Sequence, residues 1–301
     1  MLRRALPARQ GIGLRPPPEL LGEGSVNNVA VACWSISSVP GQPGATQIDD
    51  IPALSRHISF DTVMASAVNA MPNHPIKIFV APEYLFAERD SDPNANQPMI
   101  PASRSQKHNI YGRLRLISSR YPNIYIVAGT IAYEKRALGG IGAKHSYNVC
   151  PVLYGGEIIK TIYKSDDDGM LQSEGTFGAK GDPDAISPIF AAGGISIGID
   201  ICLDYLGAGE NKNGRLARFL ASHNTAARPD IHIQISGTNG AFPSKTQART
   251  DGAYIHCDLV RDAEAFQVVD QAGDNATTSR LVGTAINQSV GNLRIFSVTL
   301  G

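Results

Sequence analysis

No stretch of this 301-residue chain approaches the roughly 20 consecutive apolar residues that a membrane-spanning helix needs. Net charge is absent too, since 27 basic side chains balance 27 acidic ones. Without a broad field of either sign, nothing draws the chain to nucleic acid or to an anionic membrane surface. Cysteine is sparse: Cys33, Cys150, Cys202 and Cys257 stand far apart, with no CxxC pair. That spacing argues against a zinc site and a small disulfide scaffold, and it fits a reducing, cytoplasmic setting where thiols stay free. Internal repeats and linkers are also missing. No apolar signal core accompanies Arg3, Arg4, Arg9 and Arg15, which reads against a secretory leader. Pro7, Pro16, Pro17 and Pro18 oppose regular structure there, so residues 1–25 are expected to form a disordered arm.

What is present is an alternation of strand and helix signals. Val29 to Trp34, Ile76 to Val80 and Ile124 to Gly129 are short apolar runs suited to buried strands. Helical stretches fall between them, near Ile51 to Ala70 and from Gln106 to Tyr121. In the first, Leu54, Ile58, Val63 and Val68 are read as the buried face. In the second, Ile110, Leu114 and Ile117 share a face, and Pro122 stops the helix. Tyr147 to Tyr154 and Glu157 to Tyr163 flank Gly155-Gly156, a hairpin signal. Ile195, Ile197, Ile199 and Ile201 alternate with Ser196, Gly198, Asp200 and Cys202; Ile231, Ile233 and Ile235 repeat the pattern. A helix from about Gly214 to His223 joins these two strands. The order predicts one α/β domain with mixed sheets and helices outside.

Three polar residues sit where such a fold presents chemistry. Cys202 ends an alternating strand, and strand ends are where α/β sheets expose reactive groups. The small residues on its face are read as leaving room for a substrate. A thiol becomes a good nucleophile when a base takes its proton or its pKa falls. Glu83 also follows an apolar strand, beside Tyr84 and Phe86; a carboxylate in such surroundings has a raised pKa and can accept a thiol proton near neutrality. Lys164 ends Ile158 to Tyr163, and a lysine there can stabilise an oxyanion. Taken singly, each has a plainer reading: a buried thiol, a turn glutamate, a solvated lysine.

Together the segments Phe79-Val80-Ala81-Pro82-Glu83, Tyr147-Asn148…Gly156…Tyr163-Lys164 and Gly198-Ile199-Asp200-Ile201-Cys202-Leu203-Asp204 resemble the nitrilase superfamily of carbon–nitrogen hydrolases, in the family's order of Glu, Lys and Cys. The resemblance runs from roughly Asn28 to the C-terminus, making residues 26–301 the hydrolase domain. It implies an α-β-β-α sandwich, with two mixed sheets between outer helices, and a possible homodimer. It implies that Glu83 is the general base, that Lys164 steadies the tetrahedral intermediate and that Cys202 attacks. Glu174, with Phe177 and Gly181, looks like the family's second glutamate, which would orient Lys164 or position substrate. The N–H of Leu203 would share the oxyanion, and Tyr84 and Asp204 would support the site. No metal or organic cofactor is implied. Leu203-Asp204 replaces the Trp-Glu usual after the cysteine in nitrile-hydrolysing relatives, which points to an amide or carbamoyl amine as the small-molecule substrate.

The acidic run Asp166-Asp167-Asp168 departs from the family pattern. It reads as a solvated loop or as an acidic rim favouring a cationic substrate. Arg261 to Val269 looks like the family's helix-to-strand segment. A rival nucleophile is Cys257 with its neighbour His256. Both are read as packed in a helix before Val268, where adjacent residues do not face each other. Nitrile hydrolysis or acyl transfer to an amine on the same site, and a non-catalytic binding module of the same fold, complete the alternatives.

Overall fold

Strands that are apolar at every position need cover on both faces. The computed structural model describes residues 27–36, 51–90, 99–136, 144–172, 176–177, 185–207, 213–225 and 227–301. The expected N-terminal arm and Glu174 lie outside them. The first strands are β1 (Asn27–Ser35), β2 (Ile76–Ala81), β3 (Glu88–Arg89), β4 (Met99–Ile100), β5 (Ala102–Ser103), β6 (Tyr125–Ala128) and β7 (Ile131–Arg136). The central ones are β8 (Lys144–Tyr154), β9 (Glu157–Tyr163), β10 (Thr176–Phe177), β11 (Ile189–Ala192) and β12 (Ile195–Ile201). The last are β13 (Ile231–Ser236), β14 (Ala253–Asp258), β15 (Glu264–Ala272), β16 (Asn275–Arg280), β17 (Thr284–Asn287) and β18 (Asn292–Leu300). The helices are α1 (Arg56–Ala70), α2 (Arg104–Arg120), α3 (Leu203–Leu206) and α4 (Arg215–Ser222).

Two mixed sheets form from these strands. One runs β17-β18-β1-β2-β6-β8-β7-β5, with β9 and β10 also paired to β8; the other runs β11-β12-β13-β14-β15-β16. In the first, β1, β2 and β6 are mutually parallel. In the second, β12, β13 and β14 are parallel.

The period-2 alternation explains the layers. Val29, Val31 and Cys33 of β1, Ile76, Ile78 and Val80 of β2, and the isoleucines of β12 and β13 share one core between the sheets. Ala30, Ala32 and Trp34 of β1 and Phe79 of β2 turn the other way, into a second core closed by Phe60, Val63 and Met64 of α1 and Ile110, Leu114 and Ile117 of α2. Leu216, Phe219 and Leu220 of α4 form a further cluster, and Leu216 lies over β12 at Gly198. The order is helix, sheet, sheet, helix, the expected α-β-β-α sandwich with two mixed sheets.

Several local readings are corrected. The buried face of α1 is Phe60, Val63, Met64 and Ala67, while Leu54 and Ile58 are exposed, Ile58 by 62%. Buried Arg56 sets that phase: its guanidinium donates to the carbonyls of Ile51, Leu85 and Ala87. The second helix starts two residues early because Ser103 caps it. The Ser103 hydroxyl accepts from the Gln106 N–H, and the Gln106 side chain accepts from the Ser103 N–H. His256 and Cys257 lie on strand β14, not in a helix. Strand alternation sends Cys257 into the inter-sheet core and His256 to the opposite face. The segment from Arg261 likewise enters β15 without a helix.

Among the described residues, no helix is long and apolar enough to cross a membrane.

Candidate active site

Parallel β2 and β6, antiparallel β8 and then antiparallel β9 leave the C-terminal ends of β2 and β9 at the same edge of the first sheet. Glu83 follows the first of those ends and Lys164 the second. The C-terminal ends of β12 and β13 carry Cys202 and Gly237. The two sheets are tied here, because the Glu83 N–H donates to the Ser236 carbonyl at 3.3 Å.

Each side chain is held by its own brace. The turn carrying Glu83 is bound to Thr130: the Tyr84 N–H donates to the Thr130 hydroxyl at 2.7 Å, and the Thr130 N–H to the Pro82 carbonyl at 3.3 Å. The chain reaches Thr130 through Gly129 at φ +70°, where an added Cβ would sit 2.3 Å from the Pro82 oxygen. Only glycine fits there. Lys164 continues the β8–β9 ladder, donating from its N–H to the Asn148 carbonyl at 2.8 Å.

Cys202 lies one residue past β12, with φ +52° and ψ −109°. A non-glycine residue in that region is strained, typically by about 1–3 kcal/mol, and such strain concentrates at functional sites. The Cys202 N–H is pinned to the Ile235 carbonyl at 2.7 Å, and α3 begins at the next residue. This kink turns the sulfur out of the strand's alternation. The small face that the sequence suggested as substrate space belongs to Ser196, Gly198 and Asp200 and lies under α4. An added Cβ on Gly198 would stand 2.6 Å from the Leu216 side chain. Asp200 accepts the Leu216 N–H at 3.1 Å, and its other oxygen meets His232 at 3.2 Å. The Cys202 sulfur instead joins the inter-sheet core at its edge.

These elements bring Glu83, Lys164 and Cys202 together, all buried. The Lys164 ammonium donates to Glu83 Oε1 at 2.7 Å and to Asp168 Oδ2 at 2.5 Å. Asn148 Nδ2 also donates to Glu83 Oε1, at 2.9 Å. Glu83 Oε2 has no hydrogen-bond partner among the described residues. A carboxylate oxygen of Glu83, one of Asp168 and the Cys202 sulfur all lie within 4.8 Å of one another. Such a donor set can attract a cation, but the Lys164 ammonium already sits against both carboxylates and supplies the positive charge.

Tyr84, at φ +57°, donates its hydroxyl to Asp168 at 2.9 Å, and the Lys164 ammonium lies 5.5 Å from its ring centroid. Asp204 does not face the sulfur's surroundings. Its carboxylate accepts the N–H groups of Ser165 and Asp166 and the Ser165 hydroxyl, at 2.8–3.0 Å, and so fastens the loop after Lys164 to α3. Leu203 opens α3, and its N–H belongs to the first turn, where helical geometry leaves donors free.

Burial pushes the Glu83 carboxyl up to about 7; the adjacent Lys164 charge opposes the rise and the Asp168 charge adds to it. Burial, then the Glu83 charge, raises the Cys202 thiol far above its ordinary value, so it rests as the thiol. Desolvation pulls Lys164 down, but Glu83, Tyr84, Cys202 and Asp168 outweigh it and hold the ammonium well above its usual range. Cys150 and Cys257 are raised by burial alone or burial first, with no carboxylate base described beside Cys150.

Sequence reasoning missed Asp168, Asn148 and Asn239. Asp168 stands four residues after Lys164 in the acidic run, and that spacing was the available signal. Asp166 pairs with Arg218 at 3.5 Å, while Asp167 caps its own turn. The run is therefore neither a plain solvated loop nor a uniform rim. Asn239 donates from Nδ2 to the Cys202 sulfur at 3.1 Å, from a loop with no sequence signature.

No family model and no curated protein matches the sequence. Among solved structures, an amidase from Nesterenkonia sp. AN1, a double mutant in complex with acrylamide, is similar at TM-score 0.51 and 12% identity, over 93% of each chain. A glutamine-dependent NAD+ synthetase from Acinetobacter baumannii aligns at 0.49 and 14%, over 91% of this chain and 48% of its own. XC1258 from Xanthomonas campestris, a CN-hydrolase superfamily protein, aligns at 0.48 and 10%, over 91% of each. At such identity the likeness to the amidase is one of fold. With its layer order and sheet pairing, the chain has the α-β-β-α fold of the nitrilase superfamily.

Proposed function

We propose that this protein is a hydrolase of non-peptide carbon–nitrogen bonds, an amidase or carbamoyl-amine hydrolase working through a thioester on Cys202. The observation carrying the reading is the convergence of one thiol, one carboxyl and one ammonium from distant strand ends in a buried cluster. Splitting a hard displacement into two easier ones is the general gain of covalent catalysis.

Glu83 takes the Cys202 proton as the sulfur attacks the carbonyl carbon. Its free Oε2 is the oxygen open to receive it. Negative charge moves to the carbonyl oxygen, where the Lys164 ammonium and the Leu203 N–H donate to it. The C–N bond then breaks while protonated Glu83 returns its proton to the leaving amine. Water adds to the thioester as Glu83 takes one of its protons; the carbon–sulfur bond then breaks, Glu83 returns that proton to the departing sulfur, and the acid leaves with Cys202 restored as the thiol. A carboxyl titrating near 7 suits both halves, because it accepts and returns the proton with little bias. Tyr84 and Asp168 hold Lys164 in place.

Ammonia or amine release across a panel of small amides, carbamoyl amines and nitriles tests the reading. Wild type is expected to turn over an amide or carbamoyl amine in preference to nitriles, and Cys202→Ala is expected to lose turnover with its fold retained. Full activity in that variant would remove the proposal.

A further inference from the structure

The sulfur of Cys202 has a neighbour that the mechanism above leaves unused. Asn239 lies in the loop after β13, half-buried, with Nδ2 3.1 Å from Sγ. Its backbone is clamped at both ends of the peptide. The Asn239 N–H donates to the Ser236 hydroxyl at 2.9 Å, and its carbonyl lies 3.1 Å from that hydroxyl and accepts from His256 Nε2 at 2.9 Å. Asp258 completes the clamp, accepting from the Ser236 hydroxyl at 2.8 Å with its carboxylate 3.7 Å from His256. Against a carbonyl oxygen His256 Nε2 must carry the proton. This buried group fixes where the Asn239 side chain starts, and so aims it at the sulfur.

We propose that Asn239 is a further catalytic residue, whose carboxamide N–H stabilises the Cys202 thiolate as the proton leaves, with His256, Ser236 and Asp258 as the positioning residues that aim it. The inference rests on the nucleophilic role of Cys202. The balance is simple: the S–H bond breaks, the proton goes to Glu83, and the electron pair stays on sulfur, where the N–H of Asn239 meets it. A hydrogen bond to a charged acceptor is stronger than one to a neutral acceptor, so the contact favours the thiolate over the resting thiol. When the sulfur becomes part of a thioester its charge is gone, and this bond weakens as the acyl-enzyme forms. The groups facing the sulfur are Glu83, Asp168 and Lys164 from the first sheet, and Asn239 and the Gly237 N–H from the second. Asn239 supplies the neutral side-chain donor among them. The clamp also gives His256 a role separate from Cys257, which points into the core.

The test needs no substrate. The rate of Cys202 alkylation by iodoacetamide, mapped to its peptide by mass spectrometry, is followed from pH 6 to 10 in wild type, Asn239→Ala and Asn239→Asp. The alanine variant is expected to label about tenfold more slowly at fixed pH, the factor that accompanies a one-unit rise in thiol pKa. The aspartate variant keeps the shape but puts a negative charge on the sulfur, so it is expected to label more slowly still. Thermal melts of all three verify folding. Superimposed rate profiles for the three proteins overturn the inference. If labelling slows as stated but no amide panel member is turned over by wild type, the donor stands and the hydrolase reading falls separately.

Discussion

Lys164→Ala is expected to damage stability more than any other single change at the site, and to lower the rate as well. The ammonium is fully buried and bonded to Glu83 and Asp168, so its removal leaves two carboxylates close together without a counter-charge. Breaking a buried ion pair by deleting one partner typically costs about 3–5 kcal/mol. Losing an oxyanion donor typically lowers the rate by about 100- to 1000-fold. Urea unfolding and kcat/KM together test this. The loss of stability should also shrink at acid pH. With the lysine gone, the remaining carboxylates shed their repulsion when one takes a proton, and the variant is least stable where both are charged. A variant as stable as wild type at pH 8 would mean that Lys164 is not held where the ion pairs put it.

The second large effect concerns the base. Glu83→Gln keeps the size of the side chain and removes its ability to take the thiol proton. A loss of about 100- to 10,000-fold in kcat/KM is expected, the usual worth of a positioned acid or base. In wild type the same group sets the pH profile. Its carboxyl titrates at about 7, so the basic form required for the first step is dominant above that pH and is depleted below it. The rate should therefore climb with pH through about 7, well above the value near 4.5 where an ordinary glutamate would place the limb. A profile already flat from pH 5 to 8, with Glu83→Gln near wild-type rate, would assign the proton transfer to another group.

Much of this architecture was legible from hydrophobic alternation. The apolar runs at Val29, Ile76, Ile195 and Ile231 became the strands that bury one residue in the inter-sheet core and the next under a helix. Strand-end positions, together with the resemblance to the nitrilase-superfamily segments, were enough to propose Glu83, Lys164 and Cys202. Alternation failed where tertiary context decided. His256 and Cys257 read as helical, but β14 is set by pairing with β13 and β15, which no local pattern announces. The phase of α1 came from the contacts of a buried arginine, a residue normally assigned to the surface. The face of β12 thought to open onto substrate is filled by α4, because the chain kinks at Cys202 and takes the sulfur away from Gly198 and Asp200.

Site chemistry was legible to the extent that it lay at strand ends. Asp168 reaches Lys164 because Asp204 pulls the intervening loop onto α3, a contact between positions 39 residues apart. Asn239 reaches the sulfur through a clamp built from β13 and β14. The four-residue spacing from Lys164 was the one hint of the first, and nothing in the sequence marked the second. Asp204 acts at one remove, through the loop after Lys164.

The most direct measurement is acid-quench mass spectrometry in the first turnovers on the best substrate of the panel. The account predicts a transient mass gain equal to the substrate's acyl group, confined to the peptide carrying residue 202 and missing from Cys202→Ala. An acyl group found on a different side chain, or undiminished turnover once that sulfur is gone, would contradict it.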